Sequence, residues 1–362
     1  MELIIDERIL KAYEIPEEDI KIQQIGSGHI NRTYLISYTK NDEHFIAQSI
    51  NTHVFKQPEV IASNIKHVAT YLKEKYPEYL FLAPVVNRKN GAMVHIDDDY
   101  WRLIPYIKDS IALDTLSDPK QAYEAAKQFG KLSRLLDQFD STKLSPTIIG
   151  FHDLALRYDQ FVKTLEHADE RYTNNAKNEI ALAKEHQDIL DTYLAVELKA
   201  DFPTRVMHHD TKISNVLLHK DSFEGLCVID LDTLMPGKFI SDLGDMMRTY
   251  LCAYSENETD LSKITIRQAY FEAMIAGYLS EMGDILTSTE KELILFSGKY
   301  IIYMQALRFL TDYLNGSIYY PTHYPEQNLD RAKNQFKLLQ ELIKNETVLQ
   351  EIVDANLAKK QV

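Results

Sequence analysis

The sequence predicts an α+β fold with two lobes: a small N-terminal lobe built on an antiparallel sheet, and a larger, mainly helical C-terminal lobe. The first hundred residues alternate short apolar runs with turn residues, whereas most of the chain after residue 117 repeats apolar side chains at helical spacing. A length of 362 residues also exceeds what one compact core usually accommodates. We therefore predict two domains, residues 1–107 and residues 108–362, joined near residues 105–109.

Within the small lobe, turn residues separate apolar runs that predict strands at residues 21–25, 33–38, 44–50, 80–86 and 93–96. A further strand, residues 100–107, is predicted to leave the sheet. One helix begins near Pro58, because proline suits the first helical turn. Its apolar face consists of residues at helical spacing, namely Ile61, Ile65, Val68 and Leu72.

The larger lobe begins with a helix that Asp118 caps and that continues to about Phe139. Helical periodicity returns in residues 154–167, 173–198, 264–282, 289–314 and 329–343. One compact strand-rich island, residues 206–237, interrupts these helices. Because polar residues stand at the strand ends of this island, it is the first candidate for a functional site.

Composition and charge argue against several classes of function. The formal net charge is −14, from 54 acidic and 40 basic residues, so the chain lacks the basic surface that nonspecific nucleic-acid binding needs. Its two cysteines, Cys227 and Cys252, allow neither a disulfide framework nor a zinc motif. The N-terminus does not resemble a signal peptide, and no apolar stretch reaches the ~20 residues that cross a bilayer. These features predict a cytoplasmic protein without nucleic-acid or membrane partners.

The island carries the pattern H-x-D-x-x-x-x-N at His208, Asp210 and Asn215, and its next strand ends in Asp230. A loop between strands can hold Asp210 where its carboxylate accepts a hydroxyl proton. Asn215 and Asp230 offer an amide oxygen and a carboxylate, which are ligands that Mg²⁺ takes beside ATP phosphates. The pattern predicts phosphoryl transfer from ATP, with Asp210 as catalytic base, Asn215 and Asp230 as metal ligands, and His208 as a structural residue.

A second candidate element is the segment Gly26-Ser27-Gly28, which lies between two predicted strands. Glycines in this setting let the backbone approach phosphate oxygens closely, although ordinary hairpin turns use them too. The segment is not a Walker A loop, because no G-K-[ST] sequence follows and no helix begins there. A Rossmann fingerprint is excluded as well, since a strand comes next. We predict that Gly26, Ser27 and Gly28 cover the phosphates of ATP.

Residues 26–34, the 208–215 motif and Ile229-Asp230 together resemble the aminoglycoside and choline phosphotransferase superfamily. Several stretches are similar more closely to bacterial N-acetylhexosamine 1-kinases, namely residues 28–31, 49–55, 100–102, 227–233, 308–314 and 328–332. The resemblance implies the two-lobed protein-kinase-like fold, with ATP and Mg²⁺ as cofactors. It also implies phosphorylation of the anomeric hydroxyl of an N-acetylhexosamine, either GlcNAc or GalNAc.

The same resemblance implies roles for individual residues. Asp210 would take the proton from the anomeric hydroxyl. The segment of Pro105, Tyr106 and Ile107 would bind adenine through its backbone. The sugar would contact Arg308 and Tyr319, with His29 and Asn31 closing over the site. Asp232 is a further candidate for substrate binding, from its place two residues after Asp230.

Some of these residues have a second interpretation. Arg308 could pair with Asp312, four residues on in the same predicted helix. Asp230 and Asp232 would point the same way in an extended strand, which would place both near metal or substrate. Two later carboxylates are interpreted as braces of the catalytic loop or as helix caps, namely Asp242 and Asp245.

The sequence departs from other kinases of this fold at Gln48. Such kinases usually carry a lysine on the third strand, which contacts the α- and β-phosphates, and Gln48 stands in the corresponding place. Glutamine can donate a hydrogen bond to a phosphate, but it cannot neutralise the charge. A nucleotide-binding pseudokinase therefore stays open as an alternative, beside kinases of an aminoglycoside, choline or homoserine.

Overall fold

The structure, a computed structural model, describes residues 5–25, 31–40 and 42–359. A short helix, α1 (Glu7–Ala12), precedes an antiparallel sheet of five strands. These strands are β1 (Ile20–Gln24), β2 (Arg32–Tyr38), β3 (His44–Ile50), β4 (Val94–Ile96) and β5 (Asp99–Pro105). Their order across the sheet is β1-β2-β3-β5-β4.

Two strand predictions in this region are wrong. Residues 80–86 form no strand; the Val85 N–H donates to the Leu103 carbonyl at 2.7 Å, but Pro84 has no N–H with which to extend a ladder. The last predicted strand does not leave the sheet either. It is β5, which pairs with β3 on one side and with β4 on the other, and is therefore an interior strand.

Alternation along β5 gives the two faces of the sheet different surroundings. Trp101 and Leu103 belong to a small hydrophobic cluster that also contains Ile9 and Leu10 of α1. Arg102 lies between them in the chain and therefore points to the opposite face. There it is paired with Gln48 of β3 across the ladder. The sheet thus packs apolar side chains against α1 and presents a charged side chain to its other face.

The helix predicted from Pro58 is confirmed as α2 (Pro58–Lys75). Its predicted apolar face is buried and belongs to the large hydrophobic cluster of the helical part, not to the small cluster of the sheet. Buried apolar surface stabilises a protein by about 25 cal/mol per Å², and this stabilisation holds α2 against the helical part. The helix also contacts the turn formed by Leu231–Thr233, which connects it to the predicted site.

The larger part of the chain is mainly helical, as predicted. Asp118 forms a capping box with Gln121 at the start of α3, which confirms the predicted cap. The predicted helix at residues 173–198 is instead three short helices. The helices described after the sheet are α3 (Pro119–Leu135), α4 (Leu154–His167), α5 (Glu170–Asn175), α6 (Lys177–Glu185), α7 (Gln187–Glu197), α8 (Ile240–Tyr250), α9 (Gln268–Met282), α10 (Ser288–Glu292), α11 (Ile294–Leu314), α12 (Gln327–Lys344) and α13 (Glu346–Ala358).

The strand-rich island is confirmed. Its strands are β7 (Arg205–Met207), β8 (Val216–His219), β9 (Gly225–Val228) and β10 (Met235–Gly237), and β6 (Ser110–Ile111) joins them from before α3. They form a three-stranded sheet, β6-β8-β9, and the two-stranded pair β10-β7. Among the described residues, no helix combines the length and the apolar character that a bilayer crossing needs. The domain boundary after residue 107 stays a prediction.

Candidate active site

The β8–β9 hairpin brings Asn215 and Asp230 to the same end of the small sheet. Val216 pairs with Val228 across the ladder, and the Ile229 N–H donates to the Asn215 carbonyl at 2.8 Å. The residue before β8 therefore lies beside the chain that leaves β9. The predicted metal ligands are brought together by strand pairing.

The chain turns sharply at Asp230. Its φ of 58° lies in the left-handed region, which few residues other than glycine adopt. Leu231–Thr233 then form a 3₁₀ turn. The expectation that Asp230 and Asp232 point the same way in an extended strand is therefore wrong, because the backbone here is not extended.

Asp210 accepts hydrogen bonds from two side chains of its own loop. The Asn215 amide nitrogen lies 2.9 Å from the Asp210 Oδ2, and the Lys212 Nζ lies 2.7 Å from the same oxygen. Burial by itself raises the pKa of Asp210, but the Lys212 cation and these hydrogen bonds hold it below its usual range. Asp210 is therefore ionised at neutral pH and able to accept a proton.

Lys212 was not singled out in the sequence. The signal was present, because Lys212 follows Asp210 by two residues inside the H-x-D-x-x-x-x-N pattern. In the structure the carboxylates of Asp210 and Asp230 outweigh the effect of burial, which lowers the pKa of Lys212, and raise it to about 12. The loop therefore carries its own cation beside the predicted base.

Asp230 is the carboxylate with the least compensation. Burial and the neighbouring Asp232 raise its pKa to about 7, while Lys212 and Arg102 act in the opposite direction. Its carboxylate accepts no hydrogen bond from any residue that the structure describes. A divalent cation is the kind of ligand that such a group binds.

The donor set fits Mg²⁺ with phosphate ligands better than a metal held by protein alone. Asn215 directs its amide nitrogen at Asp210, which leaves the amide oxygen for a cation. Within residues 5–25, 31–40 and 42–359, no group of three or more His, Cys, Asp or Glu side chains is placed to hold a metal ion. Mg²⁺ commonly binds through one or two protein oxygens and completes its shell with water and substrate phosphates.

Helix α8 braces the loop that carries Asp210. The Asp242 carboxylate accepts the backbone N–H groups of His208 and His209 at 2.9 and 2.7 Å, and Asp245 accepts that of Thr211 at 2.8 Å. The Thr211 hydroxyl donates to the Asp242 carbonyl at 2.7 Å. The predicted bracing role of Asp242 and Asp245 is confirmed.

His208 is structural, as interpreted. Its Nε2 lies 2.8 Å from the Ile229 carbonyl, and its Nδ1 accepts the Asp210 N–H at 3.3 Å. The Thr233 hydroxyl donates to the His208 carbonyl at 2.6 Å. The imidazole thus joins the catalytic loop to the chain around Asp230.

Gln48 makes its contacts within the protein. Its amide oxygen accepts the Nε and Nη2 groups of Arg102 at 2.9 and 2.8 Å, and its amide nitrogen donates to the Thr33 hydroxyl at 3.2 Å. Arg102 also donates through Nη1 to Asp232, and both of these side chains are buried. The predicted phosphate contact of Gln48 stays a prediction, but the cation next to it was missed.

Asp232 and Asn31 are hydrogen-bonded to each other. The Asn31 amide nitrogen donates to Asp232 Oδ2 at 2.7 Å, and the Asn31 amide oxygen accepts the Asn51 N–H at 3.0 Å. Arg102 donates to the other oxygen of Asp232. Both side chains thus make contacts within the protein, and their predicted contacts with the sugar stay predictions. Four further predicted residues lie outside the described residues: Gly26, Ser27, Gly28 and His29.

Arg308 does not pair with Asp312. The Asp312 carboxylate instead accepts the backbone N–H groups of residues 318–320. Arg308 donates to the Gln305 side chain at 3.0 Å, and its guanidinium lies 5.4 Å from the Phe151 ring and 5.5 Å from the Tyr320 ring. It makes no ion pair with a described residue, so its charge is available to a ligand.

Tyr319 contacts Tyr320, the tyrosine that lies beside Arg308. Its side chain is 59% exposed, and its ring packs edge-on against that of Tyr320 at 4.8 Å. Tyr320, which was not predicted, is the tyrosine in contact with Arg308. Tyr320 thus contacts both Arg308 and Tyr319, and the predicted substrate contact of Tyr319 stays a prediction.

The predicted hinge begins at Pro105, the last residue of β5. The Tyr106 N–H donates to the His44 carbonyl at 3.3 Å, which extends the β3–β5 pairing by one residue. The Ile107 carbonyl accepts the Ser110 hydroxyl at 2.6 Å. Two polar groups of the hinge are therefore used within the protein, and adenine binding by Pro105, Tyr106 and Ile107 stays a prediction.

The chain is similar to proteins of a known family. A family model described as the phosphotransferase enzyme family matches residues 21–279, well over half of the chain. A microcompartment-associated aminopropanol kinase has a similar structure, with 16% identity, a TM-score of 0.63, and coverage of 95% of this chain and 97% of that one.

Two further solved structures are similar. Spectinomycin phosphotransferase, determined with ADP and spectinomycin, has 14% identity and a TM-score of 0.59 and covers 94% of this chain and 97% of its own. Choline kinase from Cryptosporidium parvum has 17% identity and a TM-score of 0.52, with coverage of 95% and 94%. At these identities the similarity shows the fold, and the predicted two-lobed protein-kinase-like fold is confirmed.

Proposed function

Because the chain belongs to the phosphotransferase enzyme family, we propose that it transfers the γ-phosphate of ATP to the anomeric hydroxyl of an N-acetylhexosamine. The observation that carries the reaction is the ionised Asp210, held by Asn215 and Lys212 beside Asp230. Phosphoryl transfer needs positioning and charge neutralisation more than covalent catalysis, so this small group of residues suffices. The products are ADP and the sugar 1-phosphate.

Each residue of this cluster has a role in the proposed reaction. Asp210 accepts the proton of the attacking hydroxyl. Lys212 supplies positive charge near the oxygens of the transferring phosphoryl group. Asn215 and Asp230 would hold Mg²⁺, which supplies charge neutralisation on the ATP phosphates when bound. Asp242 keeps the loop in place through backbone hydrogen bonds that do not involve the substrate.

The nucleotide is proposed to lie between the five-stranded sheet and the island. The segment Gly26-Ser27-Gly28 would cover its phosphates through backbone N–H groups. At the hinge, the groups of Pro105 and Ile107 that are not used within the protein would bind adenine. These assignments rest on the order of the elements, since the hinge begins at the end of β5 and the island supplies Asp230.

Arg308 supports a neutral acceptor. A guanidinium donates hydrogen bonds to hydroxyl and acetamide oxygens, and aromatic rings such as Phe151 and Tyr320 offer apolar faces to a sugar. Burial and the nearby Arg308 lower the pKa of Arg157, which indicates two cations in one neighbourhood. An aminoglycoside or choline would bring a further positive charge to this place, whereas an N-acetylhexosamine would not.

The test is Mg²⁺-dependent release of ADP from ATP across a panel of acceptors. The panel contains N-acetylglucosamine, N-acetylgalactosamine, plain hexoses, choline, homoserine and kanamycin, and phosphorus NMR identifies a 1-phosphate product. We expect turnover confined to the N-acetylhexosamines. The Asp210→Asn variant should lower kcat by about 10²–10⁴-fold, the usual contribution of a general base.

Other outcomes would reject specific parts of the proposal. Faster turnover of choline, homoserine or kanamycin would keep the kinase and overturn the sugar acceptor. ATP binding without turnover of any acceptor would favour the nucleotide-binding pseudokinase. Equal ADP release by the wild type and Asp210→Asn would show that Asp210 is not the base.

A further inference from the structure

The five-stranded sheet contains one buried cation that the proposed reaction has not used. Arg102 is 2% exposed, and its side chain lies opposite Gln48 in the β3–β5 ladder. Arginine is almost never fully buried unless it is paired. A partner inside the protein must therefore compensate the charge of Arg102, and the burial of this charge calls for a functional explanation.

The guanidinium is held in one orientation by a residue of the neighbouring strand and a residue of a turn. Gln48 on β3 accepts two of its N–H groups at 2.9 and 2.8 Å, and Asp232 in the 3₁₀ turn accepts a third. Gln48 is itself tied to Thr33 on β2 at 3.2 Å. A guanidinium carries five N–H donors, so these contacts leave two of them for another acceptor.

Arg102 points away from the apolar cluster of the sheet and towards Asp230. Its neighbours Trp101 and Leu103 point to the other face, against α1. On its own face Arg102 lines a small cavity together with Asp230. The buried cation is therefore next to the carboxylate proposed to hold Mg²⁺.

We propose that Arg102 supplies, from β5, the fixed positive charge that binds the phosphates of the nucleotide, in place of a lysine on β3. Gln48 positions its guanidinium across the ladder, and Asp232 is its counter-ion. The substitution at Gln48 then removes no charge from the site, because the cation has moved to the adjacent strand. The inference rests on the proposed function in one respect: that a nucleotide binds beside Asp230.

Asn31 extends this arrangement to the segment before β2. It donates to Asp232 at 2.7 Å and lies three residues after Gly28 in the chain. Asp232 thus connects the cation on β5 to the start of β2. Asp232 and Asn31 are positioning residues in this proposal, and their contacts are made within the protein.

The experiment measures binding and not turnover, so it does not depend on the identity of the acceptor. Isothermal calorimetry gives the Kd of MgADP and of adenosine for each variant. Adenosine lacks phosphates, so a lost phosphate contact affects only MgADP, whereas general disruption of the site weakens both ligands. The central variant is Arg102→Gln combined with Asp232→Asn, which removes both charges and avoids an unpaired buried carboxylate.

We expect this double variant to raise the Kd of MgADP at least about tenfold, the factor that corresponds to one charged hydrogen bond. The Kd of adenosine should change less than about twofold by the same reasoning. Combining Gln48→Lys with Arg102→Gln restores a cation on β3 beside an intact Asp232, and should recover most of the MgADP affinity. Arg102→Lys should fall between these two variants.

Arg88→Gln is the matched control, because Arg88 is an exposed arginine paired with Glu14. It should leave both dissociation constants unchanged. Equal losses for MgADP and adenosine, or no rescue by lysine at position 48, would overturn the proposal and leave Arg102 as a structural residue. Wild-type binding of MgADP without turnover of any acceptor would reject the proposed function while leaving this inference supported by the variants.

Discussion

Two ion pairs flank Asp230, and they differ in how far solvent reaches them. On the strand side, the side chains of Arg102 and Asp232 are 1% and 3% exposed. On the loop side, those of Lys212 and Asp210 are 39% and 23% exposed. Both cations act on the Asp230 carboxylate and oppose the rise in its pKa.

The difference corresponds to two requirements of phosphoryl transfer. A guanidinium held by several acceptors out of water keeps one geometry before a ligand binds, and such preorganisation lowers the barrier. An ammonium on a flexible stem at an open loop can follow a group that moves during the reaction. We interpret the strand side as the preorganised part of the site and the loop side as the part that meets the substrate.

The largest expected effect is on the free energy of unfolding, and it distinguishes the Arg102–Asp232 pair from the Lys212–Asp210 pair. Arg102→Met should lower the free energy of unfolding by about 3–5 kcal/mol, because it leaves Asp232 as an uncompensated buried charge. Lys212→Met should change it by about 1 kcal/mol or less, since partly exposed pairs are screened. Urea denaturation followed by circular dichroism measures both, with the exposed Arg88→Met as control. Equal losses for the two variants would remove the distinction.

The next effect tests whether the open loop depends on α8. Asp242→Ala removes the acceptor of two buried backbone N–H groups, those of His208 and His209. Each unsatisfied group costs about 1–3 kcal/mol, so we expect a loss of about 3 kcal/mol in the free energy of unfolding. Asp159→Ala, which breaks an exposed helical pair, should stay within about 0.5 kcal/mol. A loss as small as that control would show that the loop holds its shape without Asp242.

The smallest effect concerns the carboxylate between the two pairs. The pKa of Asp230 is raised to about 7 in the folded protein, above its ordinary value of 3.8. Its stabilising contribution is therefore complete below about pH 4 and is lost as the pH rises through about 7. Without Mg²⁺ and nucleotide, Asp230→Asn should raise the free energy of unfolding at pH 8 and change it little at pH 4.

Urea denaturation at several pH values, with EDTA present, checks this prediction. The wild type should lose stability relative to Asp230→Asn between pH 5 and pH 8. A constant difference over that range would mean that the two neighbouring cations already neutralise Asp230. The positive charges of Arg102 and Lys212 would then balance the charge of Asp230 without a metal ion.

The elements that the sequence predicted correctly are those whose signal is local. Strand β3 and helix α4 have the predicted bounds, and the apolar face of α2 is buried as its spacing indicated. The loop from His208 to Asn215 and the strand before Asp230 were predicted for the same reason. A few neighbouring residues contain the whole pattern in each of these cases.

Predictions that needed the order of strands were wrong. Residues 80–86 have the apolar composition of a strand but do not enter the ladder, and β5 became an interior strand instead of an exit from the sheet. The run at residues 173–198 shows helical periodicity, but it forms three helices. Composition and period do not state which strand pairs with which, or where a helix must break to pack.

The sequence by itself predicted phosphoryl transfer, through Asp210, Asn215 and Asp230, because a short loop and the pairing of two neighbouring strands bring these residues together. Only the tertiary structure decided where the cations lie. Arg102 meets Gln48 across 54 residues and Asp232 across 130. Contacts at such separations depend on sheet order and on the packing of the island against the sheet, and no local pattern encodes them. For that reason Gln48 indicated a missing charge in the sequence, while the structure contains a buried cation on the adjacent strand.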